Sequence, residues 1–180
     1  MNTRLIAVTA SLLLLFAGCA GTSGTVATSA AAGSNADASS PSASTTESAS
    51  ADLGTIKFGQ SYKWDDGLQV TVTTPGAFKP SEWAVGGKKN AHYVAMTVTL
   101  VNGTGKTWDP TMFHLSGQSG DQDADQVFDT AKGVGDSPDT KLLAGRQAKW
   151  KVAFAVKNTA DLVLEVEPDF DHDSVIYQLG

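Results

Sequence analysis

Apolar and polar side chains alternate along most of the chain after residue 52. Residues 68–73 read LQVTVT, and residues 92–102 and 149–156 repeat the alternation over longer stretches. A period of two is typical of β-strands with one buried face. Shorter segments with the same alternation predict further strands at residues 55–58, 61–64, 112–117, 126–129, 162–166 and 175–179.

The segments between these predicted strands indicate a sandwich. They are rich in Gly, Pro, Asn and Asp, and no segment has a convincing amphipathic helix pattern. The chain has a single cysteine, so the Cys–Trp–Cys arrangement of antibody domains is absent. We predict one all-β domain, an immunoglobulin-like antiparallel β-sandwich, over residues 53–180.

The N-terminus has the features of an export signal. Arg4 precedes an apolar stretch at residues 5–16, which is shorter than the ~20 residues of a membrane-spanning helix. Residues 15–19, LFAGC, resemble the lipobox of bacterial lipoproteins. The resemblance implies that the signal peptide, residues 1–18, is removed and that Cys19 carries lipid as the mature N-terminal residue. Two or more acyl chains, palmitate for example, hold a protein stably at a membrane. The alternative is an ordinary secretory signal in which Cys19 is incidental.

Residues 20–52 differ in composition from everything that follows. They contain ten Ala, nine Ser, five Thr and three Gly, with no aromatic residue and with Val26 as the only large aliphatic. Such a segment buries too little apolar surface to offset the entropy of ordering it. We therefore predict that residues 19–52 form the lipidated Cys19 and a disordered tether, with a reach of roughly 30 Å.

Net charge and motifs exclude several functions. The chain carries a formal charge of −6 with scattered Lys and Arg, which disfavours nucleic acid and attachment to anionic lipid through a basic patch. There is no Gly-x-Ser-x-Gly motif, and acylation of Cys19 would consume the only thiol. We predict a protein that is not an enzyme.

Three segments together resemble an uncharacterised immunoglobulin-like family, described as telokin-like, found on secreted and lipid-anchored proteins of Gram-positive bacteria. The family is related to the mycobacterial immunoprotective extracellular protein. The resembling segments are residues 58–72, 94–105 and 143–156. The resemblance implies a sandwich at the extracytoplasmic face of the membrane of a Gram-positive, actinobacterial cell. It implies no activity, because a sandwich fold hosts many unrelated functions.

An acidic segment is the best candidate for a cation site. Asp121, Asp123 and Asp125 stand at alternate positions and Asp129 follows, which imitates the start of a calcium loop. Gln126, however, stands where such a loop needs Gly, and Lys132 stands where it needs Glu. The alternative is a solvated acidic turn. A second acidic cluster, residues 169–173, is interpreted as a polar turn.

The long connection at residues 74–91 is the best candidate for binding a partner. It carries Phe78, Trp83, Lys88 and Lys89, and Trp is a frequent anchor at interfaces. The alternative is that both aromatic residues fold back over the sandwich. The working hypothesis is a non-enzymatic adhesion or interaction module at the cell envelope, without a cofactor. Its partners would be the membrane, through Cys19, and an envelope or extracellular protein. The competing hypothesis is a calcium-binding domain.

Overall fold

The computed structural model describes residues 24–27, 54–87 and 92–180. Within these ranges there is no α-helix, and no helix long and apolar enough to cross a membrane. Lys88, Lys89 and Cys19 lie outside the described residues, as does the tether apart from residues 24–27. The strands are β1 Gly24–Ala27, β2 Thr55–Lys57, β3 Ser61–Trp64, β4 Leu68–Val72, β5 Gly76–Ala77, β6 His92–Asn102, β7 His114–Ser119, β8 Gln122–Asp123, β9 Asp125–Val127, β10 Gln147–Val156, β11 Leu162–Glu167 and β12 Val175–Gln178.

The strands form two sheets. Sheet I has the order β1-β3-β4-β6-β10-β9, with β5 paired to β6, and sheet II has the order β2-β12-β11-β7-β8. Every pairing is antiparallel except that of β2 with β12. The predicted immunoglobulin-like antiparallel β-sandwich is confirmed.

The core lies between the sheets and follows from the alternation in the sequence. In β4, Leu68, Val70 and Val72 are fully buried, while the residues between them are half-buried. Val70 pairs with Leu100 of β6, so both side chains enter the same layer. Each such aliphatic side chain contributes roughly 1.5–3 kcal/mol on burial. From sheet II, Tyr177 enters this core and its buried hydroxyl donates to the Val70 carbonyl at 2.9 Å.

Strand β7 begins later than the sequence pattern predicts. Residues Pro110–Met112 form a 3₁₀ turn, in which the Asp109 side chain accepts a hydrogen bond from the Thr111 amide. Proline fixes its own φ and lacks an N–H, so it favours the first turn of a helix over a sheet interior. The strand therefore begins at His114 rather than Met112.

Strand β1 lies inside the segment predicted to be a tether. Gly24–Ala27 pairs antiparallel with Ser61–Trp64, at the outer edge of sheet I. Without β1, β3 would be the edge strand of sheet I, and its free backbone donors and acceptors can pair with an extended segment of any composition. Composition alone therefore does not reveal this strand.

A second, smaller apolar cluster covers the outer face of sheet I. In β10, Val152, Phe154 and Val156 enter the core between the sheets. Ala153 and Ala155 point the opposite way because successive side chains of a strand alternate. They are buried there against a cluster that also contains Val127, Val134, Phe78, Ala84, Tyr93 and Ala95.

Candidate functional site

The loop between β5 and β6 crosses the outer face of sheet I. Its backbone continues the sheet for one residue, since the Phe78 amide donates to the Tyr93 carbonyl at 2.8 Å. The side chains of Phe78 and Ala84 then pack against the outer apolar cluster. These contacts hold the start and the middle of the loop on the sandwich.

A buried carboxylate fixes the loop between those contacts. Asp129 is 1% exposed and accepts hydrogen bonds from the Ser81 amide at 2.7 Å and the Ser81 hydroxyl at 2.8 Å. Burial raises the pKa of Asp129, but these bonds, together with the Lys132 amide and charge, outweigh it and hold the pKa below its ordinary value. The carboxylate therefore stays ionised and keeps the loop in place.

The end of the loop pairs with the chain that follows β9. The amides and carbonyls of Val85 and Phe128 exchange two hydrogen bonds of 2.8 Å each. Directly paired residues present their side chains on the same side. Gly86 has φ +91°, and a Cβ there would lie 2.2 Å from the Gln126 carbonyl oxygen, so the close approach needs glycine.

This clamped loop and the segment that pairs with it present apolar side chains to solvent. Trp83 is 75% exposed, Val85 68% and Phe128 37%. We call these three residues the Trp83 face. Phe78 folds back on the sandwich, as the alternative interpretation of this loop expects, whereas Trp83 does not. Val85 and Phe128 are missing from the sequence prediction, because they stand 43 positions apart and only their pairing places their side chains on one side.

The four aspartates considered for calcium are not brought together. Asp121 forms an ion pair of 2.8 Å with Lys157, and the hydrogen bond from that ammonium group is the largest cause of its lowered pKa. Asp123 lies in β8, Asp125 lies in β9, and Asp129 holds Ser81. Among the described residues, no group of three or more His, Cys, Asp or Glu side chains is arranged to hold a metal ion.

A polar cluster that the sequence presents as a simple turn ties distant segments together. The two ring nitrogens of His172 lie 2.6 Å from Asp169 Oδ1 and 3.1 Å from Asp66 Oδ2. The Trp108 indole donates to Asp169 Oδ2 at 2.9 Å. Burial raises the pKa of Asp169. The hydrogen bonds from His172 and Trp108 lower it, and together with the Asp171 amide and the nearby His172 they outweigh burial, so the pKa of Asp169 lies below its ordinary value. Asp66 stands 106 positions from His172, so no local spacing reveals the contact.

The fold is that of a β-sandwich protein, and the Trp83 face is exposed on it. Among solved structures, the chain is similar to the yjhA protein from Bacillus subtilis, with 18% identity and a TM-score of 0.52, over 69% of this chain and 99% of that one. It is also similar to MPT63, a secreted protein from Mycobacterium tuberculosis, with 15% identity, a TM-score of 0.48, and coverage of 72% and 99%.

A third similar structure is an uncharacterised β-sandwich protein from Clostridium difficile, with 9% identity, a TM-score of 0.46, and coverage of 74% and 99%. At these identities the likeness establishes the fold alone, and the yjhA protein carries that conclusion. No family model matches the chain, and no curated protein matches it.

Proposed function

We propose that this chain is a lipid-anchored, extracytoplasmic interaction module that binds a protein partner through the Trp83 face. The observation that carries the proposal is the 75% exposure of Trp83 on a loop whose base is fixed by buried Asp129. A large aromatic side chain gains free energy by burial, so an exposed one on a well-held loop indicates a surface that another molecule covers.

The composition and anchoring of the Trp83 face suit a protein partner. Aromatic residues are enriched in the buried centres of protein interfaces, and Trp is the most frequent among residues that dominate binding energy. A loop fixed before binding also loses less conformational entropy when it binds. Ser81 and Val85 hold the backbone on either side of Trp83, so little ordering remains to be done.

The N-terminal sequence supports the location of this module. Residues 15–19 resemble a lipobox, and lipid on Cys19 would place the domain outside the membrane. The partner is then a protein of the cell envelope or of the surroundings. The absence of a nucleophile motif from the sequence supports a role in binding rather than in catalysis.

Photocrosslinking followed by affinity measurement tests the Trp83 face. A photoreactive side chain at Glu82, which is exposed beside Trp83, identifies the partner in intact cells. Trp83→Ala should then weaken binding of the purified partner by at least about tenfold, as expected for a central interface residue. Phe170→Ala is the matched control, because Phe170 is an equally exposed aromatic residue on another loop. Equal affinities for the two variants would refute the proposed face.

The anchor has a separate test. Cys19→Ala should release the protein into the medium, because no acyl chain would then hold it. Cys19→Ser serves as a second variant of similar size. Continued retention of both variants in the membrane fraction would overturn the anchor and leave the Trp83 face to be judged on its own.

A further inference from the structure

Both points at which the N-terminal segment joins the domain lie at one end of the sandwich. Gly24 pairs with Trp64 in the register of β1 against β3, and the Gly54 carbonyl accepts a hydrogen bond from the Ile176 amide at 3.0 Å. The Trp64 indole donates to the Asp173 carbonyl at 3.0 Å, so the loop before β12 closes the same end. We call this the tether end; it comprises residues 65–67, 103–113, 140–146 and 168–174.

Strand β1 sets how far this end can stand from a lipid anchor. This step rests on the proposed anchor at Cys19. Four residues separate Cys19 from Gly24, and that stretch spans at most about 18 Å when fully extended. Without the pairing of β1, 34 residues would separate Cys19 from Gly54, with a root-mean-square reach of about 30 Å. The pairing therefore draws the tether end toward the membrane surface.

The tether end carries exposed apolar side chains. Six large hydrophobic residues are exposed in the described part of the chain, and three of them form the Trp83 face. The other three are Phe170 at 84%, Leu143 at 58% and Met112 at 53%. Phe170 and Met112 line one groove of about 590 Å³, and Leu143 follows Leu142, which pairs with Trp108 in the wall of that groove.

The occupant that fits these side chains is a lipid surface. Lys106 is the only Lys or Arg that lines the groove, and four aspartates line it as well, at positions 66, 109, 169 and 171. Attraction between basic residues and anionic headgroups therefore does not account for a contact here, and the contact rests on the apolar side chains. Apolar side chains that enter the headgroup region act by burial instead. We infer that β1 holds the domain against the membrane with the tether end facing it, so that Phe170, Met112 and Leu143 lie in the headgroup region.

The opposite end provides an internal control. It is formed by the turns at residues 119–122 and 157–161, where the Ser119 hydroxyl donates to the Asn158 carbonyl at 2.9 Å. Strand β10 runs from the tether end to this end over ten residues, which is about 33 Å. Thr159 is exposed there, and Asp171 is exposed beside Phe170 at the tether end.

Fluorescence of the lipidated protein in phosphatidylcholine vesicles tests the inference. Lipid blocks the single native thiol, so Asp171→Cys or Thr159→Cys adds the only site for an environment-sensitive label. We expect headgroup-spin-labelled lipid to quench the label at 171 roughly twofold more than the label at 159, because only the first lies in the headgroup region. Equal quenching would overturn the inference while membrane retention still supports the anchor. Loss of retention would overturn the anchor instead.

Two further variants separate the parts of the inference. Val26 pairs with Tyr62, and Val26→Pro removes a backbone donor from β1, so quenching at 171 should fall toward that at 159. Val26→Thr is the matched control and should keep the wild-type value. Unchanged quenching in Val26→Pro would show that β1 does not hold the domain down. Phe170→Ser should reduce the quenching of the label at 171. A rise in that quenching in the wild-type background, when anionic lipid is added to the vesicles, would contradict an apolar contact.

Discussion

The Trp83 face and the tether end are built alike and differ in what holds them. Each presents three large apolar residues to solvent beside an aspartate whose pKa is lowered. Asp129 takes both of its close hydrogen bonds from one residue of one loop, Ser81. Asp169 takes its hydrogen bonds from different segments, with the Trp108 indole at 2.9 Å and the His172 ring at 2.6 Å. The first aspartate positions a loop, whereas the second joins parts of the sandwich.

That difference predicts where mutations alter stability and where they alter binding. On both loops an exposed aromatic residue lies next to backbone that an aspartate holds: Trp83 follows Ser81, which Asp129 binds, and Phe170 precedes the Asp171 amide, which Asp169 binds. A change at Asp169 should therefore act on the whole domain. A change at Asp129 should act mainly on the presentation of the Trp83 face.

Asp169→Ala should produce the largest loss of stability. It leaves the Trp108 indole and the Asp171 amide without their acceptor and separates His172 from one of its two carboxylates. We expect a loss of about 3 kcal/mol in the free energy of unfolding, from unpaired donors next to a charged group. For a domain of this size the melting temperature should fall by roughly 10 °C, measured by calorimetry.

The control for this variant is Asp171→Ala, which keeps the backbone amide that binds Asp169. Its melting temperature should stay close to that of the wild type, because its side chain is exposed. Partner binding through the Trp83 face should be unchanged in folded Asp169→Ala at a temperature below its transition. A small shift for Asp169→Ala would show that the cluster at the tether end is peripheral to stability.

Asp129→Asn should have a smaller effect on stability and a dependence on pH. The folded pKa of Asp129 is lowered from 3.8, so its ionised form stabilises the fold above that value, and the contribution is lost as the pH falls through the folded pKa. The melting temperature of the variant should lie a few degrees below that of the wild type at pH 7. The two melting curves should converge as the pH falls through the folded pKa, which lies below 3.8.

Partner binding provides the second measurement for Asp129→Asn. Loss of the charge weakens the bonds to the Ser81 amide and hydroxyl, so the loop that carries Trp83 becomes less ordered and affinity should fall. Ser81→Ala removes one of the two bonds and should give an intermediate affinity. A difference in melting temperature that stays constant from pH 7 down to the lowest pH at which both proteins remain folded would contradict the stabilising role of ionised Asp129.

The sandwich could be predicted from the sequence because alternation reports burial directly. Strand β6 is predicted and observed at residues 92–102, and the inward residues of β4 are those that alternation selects. The role of Asp129 could not be predicted, because Ser81 stands 48 positions away and an acidic segment around Asp129 offers a simpler interpretation. The apolar cluster on the outer face of sheet I could not be predicted either, because alanine is too small for Ala153 and Ala155 to indicate a second buried face of β10.

The smallest expected effect concerns the acidic segment itself. Lys157 and Asp121 form an ion pair with both side chains more than half exposed, at 58% and 77%. Solvent screens such a pair and its side chains lose entropy to form it, so Lys157→Ala should shift the melting temperature by no more than about 2 °C.

The variant Lys157→Ala also removes the cation that pairs with Asp121. Its melting curves in millimolar calcium and in chelator should coincide if the four aspartates do not converge on an ion. A calcium-dependent rise of roughly 4 °C or more, abolished by Asp123→Asn, would establish a cation site there and leave the Trp83 face as one of two binding surfaces.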